Sequence, residues 1–145
     1  MRMDTSQGQT ATEWIASVSE KRLGEVIKDY GEERFAKQIA REVVAARSKQ
    51  PITTTLQLAE IVAKVVHPNK KNHNPATRTF QDTRIYINQE LQELSLTLQE
   101  CMGLLKQGGR LLVISFHSLE DRAVKRFIQE AECSDKFPHG YPIRD

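Results

Sequence analysis

The sequence is poor in cysteine: Cys101 and Cys133 are the only two in 145 residues. They fit no metal-ligand spacing and are too few to staple a domain, so a disulfide framework is excluded and free thiols in a reducing compartment are expected. Long apolar runs are missing as well. No stretch approaches the roughly 18 residues a membrane helix needs, and the start, Met1-Arg2-Met3-Asp4, is polar with no apolar signal segment behind it. The expectation is a cytoplasmic protein with no membrane partner. Net charge is also scarce: 21 basic against 19 acidic residues leave only +2. That excludes a strongly basic nucleic-acid binder recognisable from bulk charge. There are no internal repeats and no low-complexity segments to suggest a solenoid or a tail.

A hydrophobic content of 39% and a charged fraction of 28% suit a globular chain long enough for one domain with a real core. Charge distribution says more than its sum. His67-Pro68-Asn69-Lys70-Lys71-Asn72-His73-Asn74, with Arg78 just beyond, is basic and polar without one acidic residue. Such a stretch is either a phosphate-contacting loop or a solvated one.

Helical periodicity dominates the first two thirds. Residues 1–9 read as an irregular lead-in. Thr10 and Glu13 have the form of a capping box, and Trp14, Ile15 and Val18 follow on one face. Leu23, Val26, Ile27 and Tyr30 repeat at helical spacing, with Gly31 as a stop signal. A third helix is expected from Glu32 to Arg47 with Phe35, Ile39 and Val43 inward, closed by Pro51. A fourth starts after Thr54, where Gln57 completes another box, and runs through Leu58, Ile61, Val62 and Val65 to Pro68. A longer helix is expected from Ala76 to Leu105, carrying Phe80, Ile87, Leu91, Leu94, Leu98 and Met102.

The texture then changes. Gly108-Gly109 breaks the helix, and Arg110-Leu111-Leu112-Val113-Ile114-Ser115-Phe116 reads as a strand buried on both faces of a parallel sheet. Ser118 with Asp121 offers a cap for a last helix bearing Val124, Phe127 and Ile128, and residues 133–145 are turn-rich. One strand cannot form a sheet, and its unpaired edges need partners from elsewhere. The expectation is therefore a piece of a larger α/β protein, itself mostly α with one core β-strand near 110–116.

Three blocks carry a family resemblance. The first is Leu105-Lys106-Gln107-Gly108-Gly109-Arg110-Leu111-Leu112-Val113-Ile114; the second is Ser115-Phe116-His117-Ser118-Leu119-Glu120-Asp121-Arg122. The third is Asn74-Pro75-Ala76-Thr77-Arg78-Thr79-Phe80-Gln81, followed by Arg84-Ile85, Asn88 and Glu90-Leu91. With Met1-Arg2-Met3-Asp4 and Tyr30-Gly31-Glu32-Glu33, they resemble the RsmH/MraW family of ribosomal RNA small subunit methyltransferases, in order and over most of the chain. The resemblance implies a bacterial enzyme that uses S-adenosyl-L-methionine to methylate the N4 amine of a cytidine in 16S ribosomal RNA of the small ribosomal subunit. It also implies an α/β parent fold, a class I Rossmann-like methyltransferase with a helical insertion. Residues 1–9 would lead in from the methyltransferase domain, 10–72 would be the insertion that recognises substrate, 73–132 the return (helix, fifth strand, helix), and 133–145 a truncated loop.

The family's glycine-rich cofactor loop, the acidic residue after its second strand and its Asp-Leu-Gly-Val-Ser-Ser block have no counterpart here; they are expected upstream of Met1, and the closing strands beyond Asp145. No cofactor-binding residue is therefore assigned within the chain, and the chain alone is expected to be inactive. Its only paired glycines, Gly108-Gly109, lie at a helix-to-strand junction rather than the strand-to-helix turn a nucleoside needs.

Methyl transfer to an aromatic amine is largely positioning: the acceptor nitrogen must be aligned and water excluded. In class I folds the pocket opens at the carboxyl ends of the strands, where Ser115, Phe116, His117 and Ser118 would fall. Phe116 is either a stacking surface for an unstacked base or a core residue; His117 is either a hydrogen-bonding group at the pocket rim or the residue that fixes a turn. Glu120, Asp121 and Arg122 sit in a first helical turn, where carboxylates suit the helix dipole without catalysis. Lys70, Lys71, Arg78 and Arg84 are the RNA candidates, Arg78 having the competing role of pairing with an acidic neighbour.

Three rival readings fit less well. The segment around Thr53 to Glu60 resembles a helix-turn-helix, but a long polar loop stands where a recognition helix should follow, so DNA is not an expected partner. Ser115, His117 and Asp121 are too close in sequence for a hydrolytic triad, and His67, His73 and His117 lack metal-ligand spacing. The alternative kept is a small helical nucleic-acid-binding or interaction module without catalysis. Oligomeric state has no signature in the sequence.

Overall fold

The computed structural model describes residues 1–66 and 74–134. Seven helices lie within them: α1 Ala11–Ser17, α2 Glu20–Gly31, α3 Ala36–Arg47, α4 Thr55–Val65, α5 Thr77–Ile87, α6 Glu90–Leu104 and α7 Ser118–Ser134. The chain divides into two compact units, Met1–Glu90 and Leu91–Asp145.

In the first unit α2 packs on α3 and α5, α3 on α4, and α1 on α5. Local chemistry starts α1 and α4 where the sequence predicts. Thr10 accepts from the Glu13 amide while Glu13 accepts from the Thr10 amide, and Thr54 and Gln57 form the same reciprocal box. The apolar stripes then meet: Leu23, Val26 and Ile27 of α2, Ile39 and Val43 of α3, and Leu58, Ile61 and Val62 of α4 form one buried cluster with Trp14 and Ile15. Trp14 and Tyr86 pack with ring centroids 4.9 Å apart, joining the shortest helix to α5.

Several boundaries differ from the sequence expectation, each for a local reason. Gly31 is the last residue of α2, and Glu32 takes the left-handed cap conformation, φ 49°. The third helix begins at Ala36, and Phe35 is an exposed N-cap residue rather than a core one. Glu33 accounts for that start: its carboxylate accepts from the Phe35 amide, occupying the donor that a longer helix would use.

The helix expected from Ala76 to Leu105 is broken at Asn88-Gln89. The Asn88 side chain donates to the Arg84 and Met1 carbonyls and accepts from the Met3 amide, and Gln89 turns left-handed at φ 51°. These bonds tie the N-terminus to the end of α5 at the point where the helix would otherwise continue.

The second unit corrects the largest expectation. The strand expected over Arg110–Phe116 is not formed, and no strand occurs among the described residues. Leu112 and Ile114 are 87% and 74% exposed. The physical reason is the one the sequence supplies: a strand exists through its ladder, and none of the described residues pairs with this segment. The mostly α composition stands.

Candidate functional site

Among the sequence-predicted residues, Arg78 and Arg84 lie on α5 in the first unit, and Ser115 to Ser118 lie in the second. Lys70 and Lys71, with His67 and His73, lie outside the described residues.

α5 is an unusual helix because its buried face is polar: Thr79, Asp82 and Thr83 are enclosed together with Ile85. Thr83 donates to the Thr79 carbonyl at 2.8 Å, the usual outlet for a buried hydroxyl on a helix. Asp82 has no such outlet. It is 0% exposed, and neither of its carboxylate oxygens has a hydrogen-bond partner among the described residues. Burial, reinforced by the nearby Glu33 carboxylate and opposed by Arg78, pushes its pKa up to about 8. Arg78 stands at the edge of this acidic pocket, its Nη1 3.8 Å from Glu33 Oε2, while its side chain stays 61% exposed. The geometry therefore gives Arg78 an acidic neighbour and leaves most of its guanidinium facing water.

Arg84 is held more tightly. Its Nε and Nη2 meet Glu90 Oε1 and Oε2 at 2.8 and 3.0 Å, a fork-to-fork pair that uses the planar geometry of both groups. Spaced six residues apart, Arg78 and Arg84 face different sides of α5 and bind different acids.

In the second unit the turn before α7 is clamped by one glutamate. Glu120 Oε2 accepts from the Phe116 amide at 2.9 Å, and the Glu120 amide donates to His117 Nδ1 at 3.4 Å. His117 therefore caps α7 in the place predicted for Ser118 with Asp121, and Asp121 pairs instead with Lys125 at 2.8 Å. Because Nδ1 accepts, the neutral imidazole carries its proton on Nε2. That atom lies 3.2 Å from Glu120 Oε1, off the line of a hydrogen bond. The clamp fixes the turn and leaves Phe116 91% exposed, flanked by exposed Ser115 and Ser118. The four residues proposed for a pocket rim are thus contiguous on one ordered turn, with the aromatic ring as the available surface.

The clefts of the helical unit include one of about 310 Å³ beside Arg2, Thr10, Ile15 and Leu58 and one of about 290 Å³ beside Glu42, Lys49, Ile61 and Lys64. Neither is lined by Arg78, Arg84 or any of Ser115 to Ser118. The sequence reading also missed the Asp82–Glu33 pocket. Its signal was the position of Asp82 three residues from both Thr79 and Ile85, which places a carboxylate on the buried face.

The Gly108-Gly109 turn is not built to hold a nucleoside cofactor. The one pair of adjacent glycines serves the turn that ends α6: Gly108 has φ +78°, and a β-carbon on Gly109 would come 2.8 Å from the Lys106 carbonyl. The Gly109 amide donates back to that same carbonyl, closing the turn on itself rather than offering amides to a ligand.

Comparison with known proteins adds the family. The chain is 62% identical over 146 residues to ribosomal RNA small subunit methyltransferase H of Nitrosospira multiformis, covering 99% of the chain and 46% of that protein. It is 58% identical to the protein of the same name from Nitrosomonas europaea, with 100% and 47% coverage, and 53% identical to that of Neisseria meningitidis serogroup C, with 100% and 44%. The chain thus spans a little under half the length of these relatives. The sequence pattern of the MraW methylase family matches residues 1–145, and the chain belongs to that family.

Proposed function

We propose that the chain forms the helical, RNA-recognising part and the returning segment of an enzyme that methylates the N4 amine of a cytidine in 16S ribosomal RNA. The observation that carries this reading is the 62% identity, over nearly the whole chain, to a relative named for small-subunit ribosomal RNA methylation. The donor would be S-adenosyl-L-methionine, held by the part of the protein that lies outside this chain, so the chain alone is inactive. Residues 1–9 lead in, 10–72 recognise substrate, and 73–132 return to the catalytic domain.

This chain's own contribution is presentation of the base. An unstacked cytosine needs an aromatic face and a fixed polar edge. Phe116 supplies an exposed ring, and His117 beside it has its ring orientation set by Glu120. Lys70, Lys71 and the exposed part of Arg78 supply charge for phosphates. The segment 110–116 becomes the fifth strand of a Rossmann-like sheet when its partners are present.

The test is methylation of reconstituted small subunits by the protein completed to the length of its relatives, with the modified nucleoside identified by mass spectrometry. N4-methylcytidine is expected, with Phe116→Ala lowering the rate at least tenfold. Methylation at another nucleoside, or an unaltered rate in both Phe116→Ala and His117→Ala, overturns the assignment.

A further inference from the structure

A close approach of α2 and α3 in the first unit creates a feature that the candidate site does not use. A β-carbon on Gly24 of α2 would lie 3.6 Å from Ala40 Cβ and 3.9 Å from Lys37 Cα of α3. Small residues on both sides thus bring the two backbones close along one seam. Leu23, Val26 and Ile27 lie on the core side of this seam from α2, and Ala36, Ile39 and Val43 from α3. Helical periodicity then fixes what lies on the other side. Lys21 and Lys28, three residues before Gly24 and four after it, flank the contact on α2; Lys37 and Arg41 flank Ala40 on α3.

All four cations are exposed, and none has an ion-pair partner among the described residues. Glu25, the acid nearest Lys21 on the surface of α2, is engaged by Arg22 at 3.3 Å. Seven residues of helix separate Lys21 from Lys28 by about 10 Å, and close-packed axes lie about 8 Å apart. The result is a cluster of four exposed cations on two packed helices, with Glu25 beside them, four residues from Lys21 and three from Lys28.

We propose that this outer face of the α2–α3 seam is a phosphate-backbone contact surface for RNA, built from residues other than Lys70, Lys71 and Phe116. It holds the polyanion without reading bases, because lysine heads on a helix surface offer charge and mobile donors rather than a fixed base-edge pattern. Rigid placement distinguishes it from a solvated charge run: the seam fixes the four Cα positions, so the entropy of arranging them is already spent by the fold. The choice of RNA as the polyanion rests on the function proposed above.

The test is the salt dependence of binding of the 145-residue chain to deproteinised small-subunit ribosomal RNA. The variant carries Lys21→Gln, Lys28→Gln, Lys37→Gln and Arg41→Gln, which keep good helix formers at each position. The control carries Lys49→Gln, Lys64→Gln, Lys106→Gln and Arg110→Gln. Removing four phosphate contacts should reduce the slope of log affinity against log salt by about three, and Lys37→Gln alone by just under one. An unchanged slope, an equal fall in the control, no RNA binding by the wild type at low salt, or binding to phosphatidylserine vesicles in place of RNA overturns the proposal. Equal affinity for a non-ribosomal RNA, with the slope still dependent on the seam, upholds the surface and removes the ribosomal substrate instead.

Discussion

The carboxylate of Asp82 occupies the space that a β-carbon on Gly31 would fill: that carbon would stand 2.2 Å from Oδ2 and 2.4 Å from Oδ1. Glycine at the end of α2 is thus a requirement of the approach of α5, and not of backbone conformation, since the left-handed residue is Glu32 next to it. Gly31→Ala should destabilise the helical unit by about 1–3 kcal/mol through overpacking against a carboxylate with nowhere to move. Gly24→Ala, whose new carbon meets only ordinary contacts of 3.6 Å or more, should be neutral or stabilising by about 0.5–1 kcal/mol. Urea unfolding of the two variants checks the contrast, and equal effects would contradict it.

Asp82 also predicts a pH dependence. Its folded pKa is raised from 3.8 to about 8, by burial first, then by Glu33, against the opposing effect of Arg78. The unfolded chain releases this proton near pH 4 while the folded chain keeps it. The contribution to stability is therefore fully present below about pH 4, declines across the interval, and is lost above about pH 8. Thermal unfolding at pH 5, 7 and 9 should show stability falling with pH. Asp82→Asn should flatten the profile, since the amide cannot ionise; an equal slope in wild type and variant would remove Asp82 as its source.

Asn88 closes α5 and anchors the N-terminus with the same amide. Asn88→Ala should cost about 1 kcal/mol, because the Met3 amide and the Met1 carbonyl lose their partner together, while the Arg84 carbonyl keeps the backbone amide of residue 88. Hydrogen exchange reads the local effect directly: the Met3 amide should lose its protection while amides inside α2 keep theirs.

The segment 110–116 should behave as an unpartnered edge in the chain as it stands. Leu112→Ser with Ile114→Ser, at two largely exposed positions, should change unfolding free energy by less than about 0.5 kcal/mol. The same pair should reduce concentration-dependent association in analytical ultracentrifugation. A large loss of stability would show that these side chains are already buried in solution.

Much of the helical unit was legible from sequence because its signals are local. Thr10 with Glu13 and Thr54 with Gln57 are capping boxes whose partners stand three residues apart, and both form as read. The inward positions Val26, Ile39 and Val62 follow from periodicity alone. What sequence misplaced depended on partners distant in the chain or on competing side-chain bonds. Asn88 breaks the long helix by reaching Met1 and Met3, more than eighty residues away. Phe35 leaves the core because Glu33 takes its amide. The apolar run at 111–114 carries a strand pattern, yet a strand is a property of a pair of segments, and here the second is missing among the described residues. Beside the candidate site, the start of α7 at Ser118 was legible, while its cap was assigned to Ser118 and Asp121 instead of His117 and Glu120.

The central claim is that this chain supplies RNA-facing residues while the methyl donor is held elsewhere in the protein. Calorimetric titration with S-adenosyl-L-methionine tests it most directly. The 145-residue chain should give no binding heat, and the protein completed to the length of its relatives should bind one equivalent. Saturable binding of the donor by the 145-residue chain alone would contradict the account.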